Sequence, residues 1–381
     1  METIDTKKLK AGMTFSAPVY TQGDKVLVPA MVPLRQKDID LLINWGINTV
    51  TTEGTVVEAH SDASPKNQAV KFSINEVQQN TAPYRSYIGL IDKLNSVFTN
   101  ISTGLDIEMR AVDNICILLL QEIRDHRNSF IDFILGGEVA GRELAKSSMN
   151  TAILSTLITQ ELKLPHHKIL HIAMAGLLHD VGMLRLSREI LDKKGGLSDA
   201  ELEQVKNHPM YTSKIITKEL LGPHEVNLIA LQHHERWDGK GYPARLLGPA
   251  IDIGARIVSV ADAFEAMVSK KSYRNSMAGY QAMKNLLADN SRRFDPAVIM
   301  MFTKIMGIYP IGSIILLNDG SLARVVKVNS NVPLRPTIQI LTDTSGKSLE
   351  TETEEVIDLL NEKKLFIKNA VNPAEYAAAN A

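Results

Sequence analysis

A mainly α-helical fold, with a small α+β module before it and a small β module after it, is predicted by three features of the sequence. Apolar residues recur at three-to-four spacing through residues 130–308. Before about residue 60, short alternating runs are mixed with one helical pattern. After "IYPIG" (308–312) the helical period gives way to alternation. The 381 residues, 44% hydrophobic and 22% charged, suit a folded chain of two or three domains rather than a disordered one.

Taken in order, residues 1–60 read as the α+β module. "MTFSAPVY" and "KVLVPA" have the character of strands around the turn "TQGD", and "RQKDIDLLINWG" that of a helix stopped by Gly46. Residues 61–129 are expected to be a linker and a helical segment, the polar stretch "EGTVVEAHSDASPKNQ" (53–68) ending the first pattern. Helix is expected from about 74 to 127, with Ile88, Ile91, Leu94 and Val97 on one face and Ile115, Ile117, Leu118 and Leu119 further on. Such a pair needs a neighbour or a second copy of itself, so a homodimer is one expectation. Residues 130–308 then carry helical patterns in "GREL…SSMNTAILSTLITQEL", "HHKILHIAMAGLLHD", "SDAELEQVKNHPMYTSKIITKEL", "HEVNLIALQHHE", "IDIGARIVSVADAFEAMVS" and "MAGYQAMKNLLAD", with Ser198 and Glu201 as a capping box. The β module of 309–370 rests on "SIILL", "LARVVKVN" and "PTIQIL", and the tail "AEYAAANA" is expected to fray.

Charge and cysteine usage narrow the function. A net charge of −1 with interspersed signs provides no field to draw in a nucleic-acid polymer or an acidic membrane, so an anionic ligand needs a local basic cluster. Cys116, the single cysteine, can form neither an internal disulfide nor a thiolate zinc site. The N-terminus lacks a signal-type apolar core, and runs such as "ICILLL" (115–120) are too short to span a bilayer. A cytoplasmic setting is therefore expected.

The chemistry concentrates in the helical region. His179 and Asp180 close the apolar helix "ILHIAMAGLLHDVGM", His208 precedes Pro209, His233 and His234 end "VNLIALQHHE", and Asp262 sits within "IVSVADAFEAM". Burying an aspartate in so apolar a helix is costly unless it is paired or binds a cation. One histidine alone is more often a hydrogen-bonded core or surface residue, as "LPHHKILH" with His166, His167 and His171 illustrates; the ordered set is what points to metal. Imidazoles and carboxylates without thiolates suit Fe or Mn, and also Ni or Zn, better than Mg or Ca. Asp180 can bridge two ions about 3.5–4 Å apart, an arrangement suited to phosphodiester hydrolysis.

The order "HD" (179–180), "HP" (208–209), "HHERWDGKGYP" (233–243) and "ARIVSVADAFEAM" (255–267) resembles the HD-GYP domain, a branch of the HD phosphohydrolases that hydrolyses cyclic di-GMP. The resemblance covers roughly residues 130–308 and implies an HD-type all-helical metal-binding domain, with cyclic di-GMP as substrate, pGpG or GMP as product, and signalling proteins of that pathway as partners. It also implies that one metal is held by Asp180, His208, His233 and His234 and a second by His179, Asp180 and Asp262, with Asp180 central to catalysis. Glu143 matches a carboxylate used for a third metal in some members, and reads equally as an exposed helical Glu. Lys271 and Arg274 match residues that hold substrate phosphates, and read equally as cations at a helix end. In the loop Asp238–Pro243, Gly241 permits a tight turn and Tyr242 is expected to face substrate or pack the loop, while Trp237 is expected to pack.

Two positions depart from the family pattern. Ser147 stands where a histidine four residues after Glu143 is usual, so the second metal loses a nitrogen ligand that water or Glu143 could replace. His171, about 12 Å along its helix from His179, cannot. Met183 stands where a phosphate-binding lysine is common, and a thioether cannot replace a cation. Two functions compete, a bimetallic cyclic di-GMP phosphodiesterase with a depleted site or an inactive domain serving as a cyclic di-GMP sensor or protein-interaction scaffold, and hydrolysis of a different nucleotide or phosphoester is a third reading. Retention of six costly ligand-type residues and the whole GYP loop favours the enzyme.

Overall fold

The computed structural model describes residues 2–10, 13–21, 26–28, 49–57, 81–136, 141–269, 279–344 and 356–371, with single positions at 34, 39 and 42. The chain divides into two units, Met1–Gln68 and Ala69–Ala381. In the first, β1 (Glu2–Asp5), β5 (Thr49–Thr52), β3 (Val19–Tyr20) and β4 (Val26–Val28) lie side by side in that order, every pair antiparallel. A separate ribbon joins β2 (Thr14–Phe15) to β6 (Val56–Val57). The stretch "MTFSAPVY" is thus two strands in two sheets rather than one, because Pro18 cannot donate to a ladder. Leu9, Phe15, Val19, Leu34, Ile39, Leu42 and Val50 form the core of this unit. Most of the expected helix at 35–46, the linker beyond Val57 and the Ala-rich tail lie outside the described residues.

In the second unit, Thr81 caps the start of α1 (Ala82–Thr103), accepting from the Tyr84 N–H, and Gly104 ends the helix at φ +73°. Its inward stripe of Tyr87, Leu90, Ile91, Leu94, Val97, Phe98 and Ile101 is buried. Helix α2 (Met109–Gly136), interrupted at His126, buries Ile115 and Leu119 but leaves Ile117 and Leu118 56% and 42% exposed. The expected boundary between 129 and 130 falls inside α2. The helical pair finds its neighbour within the chain: Tyr87 meets Phe130 edge-on at 5.9 Å, and its hydroxyl donates to Asn150 of the next helix at 2.8 Å.

That helix, α3 (Glu143–Glu161), is buried on every side from Ala145 to Thr159 and forms the centre of the domain. Helix α4 (His166–Leu178) crosses it closely where Gly176 faces Ala152; a Cβ on the glycine would lie 2.8 Å from the Ala152 Cα. After the short α5 (Arg188–Leu191), the expected capping box of Ser198 and Glu201 opens α6 (Asp199–Lys206). The single helix expected over "SDAELEQVKNHPMYTSKIITKEL" breaks at Asn207 into α6 and α7 (His208–Lys214), because Pro209 cannot continue the ladder of the preceding helix. The break makes His208 the first residue of a helix. Next come α8 (His224–Gln232), α9 (Ile253–Val268, capped by Asp252), α10 (Gly279–Ala288) and α11 (Pro296–Met306, capped by Asp295). Among the described residues no helix is long and apolar enough to cross a membrane.

The C-terminal module is an antiparallel sheet ordered β10 (Val356–Asp358), β9 (Thr337–Ile340), β8 (Leu322–Lys327), β7 (Ile314–Leu317), β11 (Ile367–Val371). The alternation of β7 to β9 was legible. The two edge strands, "VID" and "IKNAV", were not, since neither carries a sustained alternation of apolar and polar residues.

Candidate metal centre

Helix ends bring the polar residues together. His179 follows the last residue of α4, His208 begins α7, and His233 and His234 follow α8. Three imidazoles are oriented in the same way: each Nδ1 lies against the carbonyl three residues earlier, His179 on Gly176 at 2.8 Å, His208 on Val205 at 2.7 Å and His233 on Ala230 at 2.6 Å. These carbonyls belong to helix ends that lack helical partners. Because a carbonyl only accepts, each Nδ1 carries the proton, and the Nε2 of the neutral ring offers a lone pair to the interior of the cluster.

The turn carrying Asp180 is fixed by α7. Thr212 Oγ1 donates to the His179 carbonyl and accepts from the Gly182 N–H, both at 2.9 Å. Gly182 permits this contact, since a Cβ there would lie 2.2 Å from the His208 carbonyl oxygen. Asp180 Oδ1 then lies 3.1 Å from His208 Nε2 and 3.8 Å from His233 Nε2. Its Oδ2 and Asp262 Oδ1, from the middle of α9, each lie 3.6 Å from His179 Nε2. Two overlapping groups result, Asp180–His208–His233–His234 and His179–Asp180–Asp262, the donor atoms in each within 4.8 Å of one another.

The donors fit a cation. His208 Nε2 and His233 Nε2 face each other at 3.3 Å, two lone pairs in contact when both rings are neutral. His179 Nε2 is buried with no hydrogen-bond partner. Burial, reinforced by neighbouring histidines, holds His233 well below its ordinary pKa and pushes His234 down to about 4, so both are unprotonated at neutral pH. Burial opposes charge on Asp180 and Asp262 also. The surrounding histidines nevertheless hold both below the usual carboxylate range. Burial likewise opposes charge on His179, but Asp180 and Asp262 lift its pKa to about 9. A divalent ion between these groups supplies more positive charge than the proton it would displace.

The loop after His234 closes one side of the site. Glu235, 2% exposed, accepts from the Ala244 and Leu246 N–H groups at 2.6 and 3.0 Å. Gly241 admits a close approach within the loop: a Cβ would lie 2.4 Å from the Arg236 nitrogen. The Tyr242 ring consequently lies over His234, centroids 4.8 Å apart. Trp237 packs beneath the Arg256 guanidinium, which pairs with Asp295 at 2.6 Å. Beside it lies a cleft of about 600 Å³, lined among others by Asp180, Met183, His208, His234, Tyr242 and Asp262 and by Asn285, Leu286, Asp289, Arg293 and Phe294.

Other expected site residues lie elsewhere. Glu143 is exposed at the start of α3, its carboxylate accepting the Gly141 N–H at 2.9 Å, and belongs to neither donor group. Lys271 and Arg274 fall outside the described residues. His171 meets Glu225 at 2.7 Å, away from the donor groups. Ser147 is buried and donates to Glu265, one turn beyond Asp262; Asn150 and Ser269 also donate to this fully buried carboxylate. Thus neither Glu143 nor His171 but Glu265 meets Ser147. Glu265, like Asp262, is an acid in an apolar helix that is costly to bury unless paired, and this is the signal in the sequence that marks it.

An all-helical domain holding a His/Asp cluster able to take metal defines the HD class, whose members bind divalent metals. Residues 139–298 match the HD domain family and residues 314–379 the KOW domain associated with HD domain. Residues 139–298 thus match an HD domain, and the "HHERWDGKGYP" loop within them is similar to that of the HD-GYP type. It is 24% identical over 339 residues to the cyclic di-GMP phosphodiesterase PdeB of Borreliella burgdorferi, covering 89% of this chain and 88% of that one. It is 32% identical over 216 residues to the cyclic di-GMP phosphodiesterase PA4108 of Pseudomonas aeruginosa, covering 56% of this chain and only 50% of that protein. Among solved structures, Bd1817, an HDG"Y"P protein from Bdellovibrio bacteriovorus, aligns with TM-score 0.49 and 15% identity over 80% of this chain and 98% of that one.

Proposed function

We propose that this protein hydrolyses the phosphodiester bonds of cyclic di-GMP to pGpG, GMP or both, using two divalent transition-metal ions. The observation that carries this reading is the pair of donor groups sharing Asp180 at the floor of the cleft. In it, Asp180, His208, His233 and His234 hold one ion, and His179, Asp180 and Asp262 hold the other. Fe or Mn suits the mixed imidazole and carboxylate set best, with Ni and Zn as competitors. Glu143, engaged at the start of α3, is not counted among the ligands.

When bound, the ions acidify a water at neutral pH and offset charge on the phosphoryl oxygens. The chain's own residues do the positioning. Asp180 holds the two donor groups in one register, and the backbone carbonyls of Gly176, Val205 and Ala230 keep three imidazoles aimed inward. Gly241 and Glu235 fix the loop that sets Tyr242 at the cleft as a surface for a base. Lys271 and Arg274 bind substrate phosphate in this reading, as the family motif supports. The enzyme works in the cytoplasm, with partners in the same signalling pathway, and the exposed Ile117 and Leu118 of α2 serve a homodimer contact.

The test measures metal content and cyclic di-GMP turnover together on the full chain loaded with Mn or, anaerobically, ferrous iron. Two bound ions with pGpG or GMP produced support the reading. Two bound ions and a bound dinucleotide without product would replace it with a sensor.

A further inference from the structure

The cleft has one cationic side chain among the described residues that line it, Arg293, and no motif pointed to it. A cyclic dinucleotide carries two phosphates, and only one at a time can lie over the metal ligands. Met183 lines the same cleft with an uncharged thioether. Lys271 and Arg274, which take one substrate phosphate in the reading above, lie outside the described residues, and within the described lining the other phosphate meets a permanent cation at Arg293 alone.

The placement of Arg293 is built. The Trp237 N–H donates to the Arg293 carbonyl at 3.0 Å and the Asp238 N–H to the Arg292 carbonyl at 2.9 Å, tying this segment to the GYP loop. Two residues later Asp295 caps α11 and pairs with Arg256, holding the segment from its other end. The Arg293 guanidinium lies 5.1 Å from the Phe294 ring centroid, and no ion pair among the described residues engages it. Asp289, which lines the same cleft, is occupied by Arg292 at 2.7 Å. Arg293 is thus a half-buried cation whose backbone is fixed to the loop carrying Tyr242.

Resting on the phosphodiesterase reading, we infer that Arg293 binds the phosphate of the cyclic dinucleotide that is not being cut, and so selects two-phosphate substrates. The experiment compares cyclic di-GMP with bis(p-nitrophenyl) phosphate, a diester with a single phosphate, on the full metal-loaded chain. Arg293→Ala is expected to raise KM for cyclic di-GMP about tenfold with kcat little changed, the loss of one charge-assisted hydrogen bond. The kcat/KM preference for cyclic di-GMP over the single-phosphate diester narrows by the same factor, and Arg293→Lys recovers part of it. Melting temperature and bound metal report that the fold is intact. Equal losses on both substrates, or an unchanged KM, would overturn the inference. If the wild type binds cyclic di-GMP without cutting it, the phosphodiesterase reading fails, and Arg293 is judged by whether Arg293→Ala weakens Kd about tenfold. If it cuts the simple diester but neither binds nor cuts cyclic di-GMP, both fail.

Discussion

Two walls of the helical domain, one at the candidate metal centre and one between α3 and α9, are held by different means. On the wall formed by the ends of α4 and α8 and the start of α7, backbone carbonyls orient three histidines, so the geometry follows from helix ends that need capping anyway. On the wall between α3 and α9, Ser147, Asn150 and Ser269 converge on the buried Glu265, and the arrangement depends on side chains alone. The first wall carries the "HD", "HP" and "HH" residues in the order read from the sequence, with the departure at Met183 just beyond them, and the second contains the departure at Ser147. A site whose aim is set by backbone tolerates change poorly, whereas one set by side chains can be rebuilt by compensating partners.

Substitutions can break this comparison or sharpen it. The largest effect is expected from Asp180→Ala, which removes the donor common to both groups: turnover falls to background and metal analysis shows loss of bound ion, while retained metal and activity would break the shared-donor picture. Next is Gly182→Ala on the backbone-held wall. A Cβ 2.2 Å from the His208 carbonyl oxygen cannot be accommodated without moving the turn, so destabilisation of about 3 kcal/mol is expected in denaturant unfolding. Ser147→His probes the other wall by placing an imidazole against Glu265. Bound metal and kcat should be unchanged or higher, and a loss would mean that this wall is as unforgiving as the first. The smallest effect is expected from Met183→Lys, which adds a cation to the cleft and should lower KM for cyclic di-GMP a few-fold without altering kcat.

Much of the site was legible because buried polar residues in apolar helices are conspicuous. His179, Asp180 and Asp262 each interrupt a strongly apolar pattern, and His233–His234 sits beside a glycine-broken loop. Glu235 and Glu265 carry the same signal but were less visible, since an acid beside paired histidines or near a helix end also reads as solvated. Arg293 carried no signal, as a cation in "SRRFD" is an ordinary surface residue until its backbone is tied to Trp237. The break at Asn207 was missed because the apolar period continues across it while Pro209 interrupts the hydrogen bonding.

By itself the sequence determined the helical period, the two flanking modules, the resemblance to the HD-GYP domain and the His and Asp set that could hold a metal, all of which depend on residue type and local spacing. Only the tertiary structure decided that α1 and α2 share a core with α3, that Glu265 rather than Glu143 meets Ser147, and that Arg293 stands at the cleft. These are contacts between residues far apart in the chain. Distance along a sequence carries no information about which helix faces will meet, and packing supplies it.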